Sequence, residues 1–170
     1  MMLFLLLCTS CNTHISETEK IITKWYQKEI VFPDNMIFVI KGDTVKYDFA
    51  GANYKILTFA DSSDCIGCRL KLNQWDTYLS TINSDTKFIM VINNIDVNKI
   101  ISQTKYDRFN RPIFIDNKGI FLKNNEMPQD IQYQTFLLDS QNRVIVLGNP
   151  LFNRRVDSLY RSIINTNCKF

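Results

Sequence analysis

Two cysteines separated by two residues, Cys65 and Cys68, are the side chains of this sequence best suited to chemistry. They lie in the segment DSSDCIGC, and the thiolate form of cysteine both attacks disulfides and binds metal ions. The C-x-x-C spacing therefore predicts one of three roles: a redox-active dithiol, a structural disulfide, or half of a metal site.

A metal site has the least support of these three roles. Zinc takes about four ligands, and the other soft ligands beyond the first eleven residues are Cys168 and His14, the single histidine. A disulfide that closes so short a ring restricts the unfolded chain very little. We therefore predict no metal and no cofactor and favour the redox dithiol, with the structural disulfide as the alternative.

The segments on both sides of the cysteines predict the elements that position them. Residues 54–60, YKILTFA, form a short apolar run typical of a buried strand, and this run leads into the C-x-x-C segment. Apolar residues then recur at helical spacing from Leu70 to about Ile82. A second apolar run, residues 87–93, precedes a second helical pattern, and this order predicts a strand-helix-strand-helix unit with parallel strands.

The start of the first predicted helix gives the two cysteines different roles. Cys65 is placed at its N-terminus, where unpaired N–H groups and the helix dipole lower a cysteine pKa from about 8.5 to roughly 3.5–7.5. Cys65 is thus the predicted nucleophile, and Cys68, one turn further, the predicted resolving cysteine. Arg69 favours the thiolate, and Asp61 is the nearest candidate to accept the proton of Cys68.

Further elements are predicted before and after this unit. Ser16 and Glu19 form a capping box ahead of an apolar face, which predicts a helix over residues 16–30. The remaining strands are predicted as a hairpin that turns at Gly42-Asp43 at a sheet edge, a strand over residues 111–116 and a hairpin formed by residues 135–148. A C-terminal helix is predicted after Pro150, and its packed face carries Val156, Leu159, Tyr160, Ile163 and Ile164.

This order of elements resembles the thioredoxin fold and, over about residues 34–165, the membrane-anchored TlpA/ResA-like redoxins. The segment YKILTFADSSDCIGC is similar to the strand and loop that present their dithiol, and TFLLDSQNRVIVLGNP is similar to their last hairpin. IFIDNKGIFLKNNEMP resembles the strand with an inserted segment that precedes this hairpin, and several phrases resemble lipoproteins of the Bacteroidetes. The resemblance implies an α/β fold, a central mixed sheet flanked by helices, with an N-terminal helix and a β-hairpin as extensions.

The same resemblance implies where substrates bind. Ile66 and Gly67 lie between the two cysteines, and Gln134 and Thr135 match the place where thioredoxins carry a cis-proline followed by threonine, opposite the dithiol. Gln134 thus replaces the cis-proline whose backbone grips the substrate. The implied activity is thiol-disulfide exchange with disulfide-containing extracytoplasmic proteins, with electrons resupplied by a membrane thiol reductase.

The first eleven residues, MMLFLLLCTSC, predict export. The apolar run is shorter than the roughly 20 residues that span a bilayer, but it has the size of a signal-peptide core. Thr9-Ser10-Cys11 resembles the lipobox of bacterial lipoproteins, which implies lipid attachment at Cys11 and a place in the cell envelope on a lipid bilayer. The alternative is a plain signal peptide that is cleaved nearby, with Cys11 lost or inert. The predicted division is a signal segment over residues 1–11, a tether and helix over residues 12–33, and a thioredoxin-like domain over residues 34–170.

Composition limits the other classes of function. The chain has 170 residues, 20 basic and 17 acidic, and its net charge of +3 forms no basic stripe, so we predict no nucleic-acid partner. The predicted function is a membrane-anchored extracytoplasmic thiol-disulfide oxidoreductase. The alternative is a non-catalytic binding or scaffold lipoprotein of thioredoxin fold with a structural disulfide, and peroxidase activity is a third option.

Overall fold

A computed structural model describes residues 16–34, 36–61, 70–94 and 96–166. The lipid-attachment position Cys11 and the segment with Cys65, Ile66, Gly67 and Cys68 lie outside the described residues, as do His14 and Cys168. The predictions for these residues are therefore carried forward as predictions.

The strands form one mixed sheet with the order β2-β1-β5-β4-β3-β6-β7. Strands β3, β4 and β5 are parallel, and the other pairs are antiparallel. The strands are β1 (Phe38–Ile40), β2 (Asp43–Val45), β3 (Lys55–Asp61), β4 (Lys87–Asn93), β5 (Ile113–Ile115), β6 (Thr135–Leu138) and β7 (Val144–Leu147). The predicted α/β class with a central mixed sheet is confirmed.

Helices cover both faces of this sheet. They are α1 (Glu17–Trp25), α2 (Leu72–Leu79), α3 (Val97–Tyr106), α4 (Ile120–Asn125) and α5 (Arg154–Thr166), with a short 3-10 helix, η1, over Ile131–Tyr133. Two apolar clusters form the core, one containing side chains of α2, α3 and α5 and the other side chains of α1 and α4. In the described part of the chain, no helix combines the length and the apolar character needed to cross a bilayer.

Alternation along the central strands explains why both faces are covered. Ile56 and Met90 belong to one cluster, whereas Leu57 and Ile89 belong to the other, and all four side chains are buried. A strand that is apolar on both sides must lie between two layers of helices. The strand-helix-strand-helix unit predicted from the sequence is thus confirmed, and it forms the centre of the fold.

The N-terminal helix is shorter than predicted. The capping box of Ser16 and Glu19 is present, but α1 ends at Trp25 instead of continuing to residue 30. Gln27 has a φ of 64°, and its N–H donates to the carbonyl of Val144 at 2.8 Å, so the chain leaves the helix to pair with the end of the last hairpin. Tertiary pairing here prevails over local helical periodicity.

Other element boundaries also differ from the predictions. Leu70 is helical as predicted, but the left-handed backbone of Lys71 (φ 48°) interrupts the helix, so α2 begins at Leu72. It ends at Leu79 instead of near Ile82, with Ser80 as its C-cap. The first hairpin turns at Lys41-Gly42, both at positive φ, and Asp43 already belongs to β2.

Two further differences concern α4 and α5. Helix α4 was not predicted, and the buried carboxylate of Asp116 accepts hydrogen bonds from the N–H groups of Ile120, Phe121 and Leu122 at its start. In α5, Leu159 is 51% exposed instead of packed.

Candidate functional site

Two of the predicted site residues, Gln134 and Thr135, are described by the structure and lie at the carboxyl end of β3. Asp61 ends this strand, and the eight residues that join it to Leu70 include Cys65 and Cys68. Strand β6 pairs with β3 in antiparallel orientation, with Thr58 opposite Thr135, so the start of β6 lies at the end of β3. The topology therefore brings Gln134 and Thr135 to the edge of the sheet at which β3 ends and from which the chain continues into the C-x-x-C segment.

A pocket of about 250 Å³ lies at this position. Its described lining comes from five separate parts of the chain: Thr58, Phe59 and Ala60; Leu70, Lys71 and Trp75; Met90; Ile131, Gln132, Gln134 and Thr135; and Asn149 and Phe152. The lining is largely apolar, and the side chains of Ile131 and Phe152 are 58% and 64% exposed. The arrangement offers an apolar surface at the carboxyl end of β3.

Buried hydrogen bonds hold together the side of the pocket that β3 and β6 form. The hydroxyl oxygens of Thr58 and Thr135 lie 3.0 Å apart and are hydrogen-bonded. The carbonyl of Gln134 accepts the N–H of Phe59 at 2.8 Å, and the N–H of Gln134 donates to the carbonyl of Ile131 at 3.2 Å. Both backbone polar groups of Gln134 are thus bonded within the fold.

The side chain of Gln134 is also held in place. Its amide nitrogen donates to the carbonyl of Pro128 at 2.8 Å, and the residue is only 6% exposed. The described residues contain no cis peptide bond, so Gln134 does not reproduce the backbone of the cis-proline that it replaces.

Lys71 is the one ionisable side chain among the described pocket residues. It lies three residues after Cys68 and directly before α2. Asp61, at the end of β3, accepts a hydrogen bond from the side-chain amide of Asn93 at 3.4 Å. The site therefore combines a cation beside the pocket with a carboxylate at the same edge of the sheet.

Several pocket residues were missed by the sequence analysis. Lys71 could have been identified from its position near Cys68, since a cation favours a nearby thiolate. Ile131, Gln132, Asn149 and Phe152 belong to connecting segments far along the chain, and no local pattern marks them. Only the sheet order brings them to this pocket.

Metal and cofactor predictions are not tested by these residues. The described ranges hold no group of three or more His, Cys, Asp or Glu side chains that could bind a metal ion. Because the cysteines and the histidine lie outside those ranges, the absence of a metal site stays a prediction.

Comparisons with known proteins agree on the fold. No protein-family model and no curated protein matches the sequence. Among solved structures, StoA from Bacillus subtilis shares 20% identity and a TM-score of 0.51, covering 66% of this chain and 84% of StoA. A thioredoxin-like protein solved in its oxidized form shares 15% identity and a TM-score of 0.58, covering 82% and 98%.

A third similar structure is the thioredoxin domain of a thiol-disulfide oxidoreductase from Bacteroides vulgatus. It shares 14% identity and a TM-score of 0.53, covering 74% of this chain and 91% of that domain. The chain therefore has the thioredoxin-like fold that these structures share, and the predicted resemblance is confirmed at the level of the fold.

Proposed function

We propose that this protein is a thiol-disulfide oxidoreductase whose Cys65 and Cys68 exchange disulfides with partner proteins. The observation that supports the proposal is a pocket lined by the end of β3, by residues at the start of α2 and by the start of β6. In the sequence, the C-x-x-C segment connects β3 to α2. Ligands of open α/β sheets bind at the carboxyl ends of such strands.

The exchange transfers two electrons from the dithiol to a partner disulfide. The Cys65 thiolate attacks one sulfur of that disulfide, so its S–S bond breaks, a mixed disulfide forms and one partner thiolate leaves. The Cys68 thiolate then attacks the Cys65 sulfur and releases the second partner thiolate, which takes up a proton. The protein is left with a Cys65–Cys68 disulfide, and a membrane thiol reductase returns the two electrons.

The described surroundings support this chemistry in two ways. The Lys71 cation beside the pocket favours a thiolate over a thiol in the neighbouring segment. The apolar pocket, with Ile131 and Phe152 exposed at its edge, offers contact area to the apolar side chains that flank a partner's cysteine. Ile66, Gly67, Gln134 and Thr135 are the proposed contacts around the reacting sulfurs.

The proposal includes a lipid anchor at Cys11 and a location in the cell envelope. Its support is the sequence: an apolar leader is followed by two small residues and a cysteine. Several acyl chains, each stabilised by about 0.8 kcal/mol per buried methylene group, would hold the protein durably on a membrane.

A second function is favoured by one observation at the site. The backbone N–H of Gln134 is bonded within the fold, so it is not available to donate to an extended partner. A binding or scaffold lipoprotein with a structural Cys65–Cys68 disulfide would have no need for such pairing.

One experiment separates the two functions. The redox equilibrium of Cys65 and Cys68 is measured in glutathione buffers, with Cys8, Cys11 and Cys168 replaced by serine. An oxidoreductase should show a potential between about −270 and −120 mV, whereas a structural disulfide should lie below about −300 mV.

Single replacements check the assigned roles. Cys68→Ser should accumulate a mixed disulfide with a disulfide-containing substrate such as insulin, and Cys65→Ser should form none. A potential below the exchange range, together with no trapped intermediate in Cys68→Ser, would leave the binding lipoprotein as the better description.

A further inference from the structure

A second concave surface, the groove, lies at the carboxyl end of β5. It has a volume of about 670 Å³ and is lined by residues 31–34, Ile37, residues 114–118, Ile120 and Asn124. It therefore lies between the segment that follows α1, the end of β5 and one side of α4. No described residue lines both the groove and the pocket at the end of β3, and its volume is within the range of about 300–1,000 Å³ that is usual for small-molecule sites.

The groove lies where the chain reverses its direction across the sheet. The chain moves from β3 to β4 and β5 in one direction and then returns, because β6 lies on the other side of β3. The helices before and after β5 cover opposite faces, since Ile100 of α3 belongs to one apolar cluster and Phe121 of α4 to the other. Open α/β sheets bind ligands outside the carboxyl ends of their strands at such a reversal. The position of the groove thus favours a ligand site.

Hydrogen bonds hold the sides of the groove in place. The side-chain oxygen of Asn125 in α4 accepts the N–H of Val31 at 2.8 Å, and its amide nitrogen donates to the carbonyl of Val31 at 2.9 Å. The buried carboxylate of Asp116 accepts the N–H groups of Ile120 and Phe121, both at 2.9 Å. Because these bonds form within the fold, the groove is shaped before any ligand binds, which lowers the entropy cost of binding.

Exposed apolar side chains meet at the groove. Val31, Ile37 and Ile120 line it and are 48%, 60% and 44% exposed. Single apolar side chains are common on protein surfaces, whereas several around one concave surface are typical of a binding site. An apolar group bound between these three side chains would be removed from water, and that burial is favourable.

Two opposite charges border the same groove. Asp34 and Lys118 are both exposed lining residues, and no ion pair between described residues includes either of them. The exposed amides of Asn117 and Asn124 add hydrogen-bond donors and acceptors. A fatty acid or a phosphorylated ligand would pair with the lysine but would be repelled by the carboxylate of Asp34. A ligand with an ammonium group, a carboxylate and an apolar body matches all of these side chains.

We propose that the groove binds short apolar peptides with free ends. The ammonium end of the peptide pairs with Asp34 and its carboxylate with Lys118, while an apolar side chain packs between Val31, Ile37 and Ile120. This site is separate from the dithiol and goes beyond the proposed exchange function. Either proposal can therefore fail without the other.

Binding is measured by nuclear magnetic resonance on the isotope-labelled full chain under reducing conditions, with leucine, dileucine and trileucine as probes. At least one probe should bind with a dissociation constant below about 1 mM, as expected for a ligand of this size. The signals that shift should include the side-chain amides of Asn117 and Asn124. Absence of saturable binding by all three probes, or shifts confined to residues outside the groove, would overturn the proposal.

Capped peptides test the two charge contacts. Asp34→Asn should weaken binding of the free peptide about two- to fivefold and leave binding of the N-acetylated peptide unchanged. Lys118→Gln should have the corresponding effect on the free and the C-amidated peptide. The matched controls Asp85→Asn and Lys99→Gln remove exposed charges outside the groove and should leave every affinity unchanged.

Two further results would decide against this ligand. Equal binding of the free and the doubly capped peptide to the unaltered chain would overturn the proposal in favour of an internal segment of a partner protein. Tighter binding of laurate than of any peptide would overturn it in favour of an acyl chain. Ile37→Ser, at an exposed position that the core does not need, should weaken the free and the capped peptides alike.

Discussion

Among the described residues that line the pocket, Lys71 is the ionisable side chain. Lys71 has a left-handed backbone (φ 48°, ψ 39°) directly before α2, a conformation that costs a non-glycine residue about 1–2 kcal/mol. Strained positions of this kind cluster at functional sites. The conformation interrupts the predicted helix and places a lysine at the pocket, three residues from Cys68.

Replacement of this lysine should slow the reaction of Cys65. In Lys71→Met the thiolate loses a nearby cation, and an exposed ion pair of about 0.4–1 kcal/mol corresponds to a roughly two- to fivefold lower rate. The measurement is iodoacetamide alkylation of reduced Cys65 at pH 7 and low salt. Lys71→Arg keeps the charge and should keep the rate, so equal slowing in both variants would point to a backbone effect instead.

The connection from β7 to α5 holds one edge of the pocket. Gly148 has a φ of 120°, and a Cβ atom there would lie 3.1 Å from a methyl group of Val156 in α5. Its N–H donates to the carbonyl of Thr135, and its own carbonyl accepts the hydroxyl of Tyr160. One glycine therefore joins the start of β6, the end of β7 and the core side of α5.

An alanine at this connection should destabilise the domain. Gly148→Ala combines an unfavourable φ with a tight contact, and we expect a loss of about 1–3 kcal/mol in the free energy of unfolding. Urea denaturation measures it. Gly51→Ala is the matched control, because nothing lies within 4 Å of the added atom, and it should change stability by less than about 0.5 kcal/mol. Similar losses in the two variants would contradict the proposed role of Gly148.

The stability of the whole domain should depend on alkaline pH through a few buried groups. Burial raises the pKa of Tyr47, Tyr78 and Tyr160, so the folded state favours their neutral forms. Burial lowers the pKa of Lys55, whose ammonium group donates to the carbonyls of Asp139 and Ser140 at 3.2 and 3.0 Å.

The two kinds of group act in opposite directions. A raised tyrosine pKa contributes stability that is complete below about pH 10 and is lost above it, because tyrosines then ionise in the unfolded chain first. The lowered lysine pKa makes stability rise as the pH approaches about 10.4, where lysine in the unfolded chain loses its proton. Above that pH the ionisation of the tyrosines dominates the pH dependence, and the free energy of unfolding should fall.

Replacement of Tyr160 should reduce this alkaline loss. Tyr160→Phe removes one ionising group, so the slope of unfolding free energy against pH above about 10.5 should become shallower by up to about 1.4 kcal/mol per pH unit. At pH 7 the loss of its hydrogen bond to Gly148 should cost about 1 kcal/mol. Urea denaturation across pH tests both effects, with the 84% exposed Tyr106 replaced by Phe as control. An unchanged slope in Tyr160→Phe would contradict the assignment.

Local patterns in the sequence determined most of the elements. Apolar runs with no polar alternation mark β3 and β4 because strands between two helical layers are apolar on both faces. The capping box at Ser16 and the succession of strand and helix patterns on the two sides of the C-x-x-C segment are equally local signals. From these the α/β class, the parallel unit and the placement of Cys65 and Cys68 between β3 and α2 could be predicted.

Contacts between distant segments decided the rest. Helix α1 ends at Trp25 because the next residues pair with Val144, and no pattern near Trp25 shows this. The pocket joins Lys71 to Ile131 and Phe152 because β6 inserts beside β3 in antiparallel orientation. Spacing along the chain constrains only neighbours within a few residues, whereas a binding surface depends on which strands pair, and that pairing is settled by the packing of the whole domain.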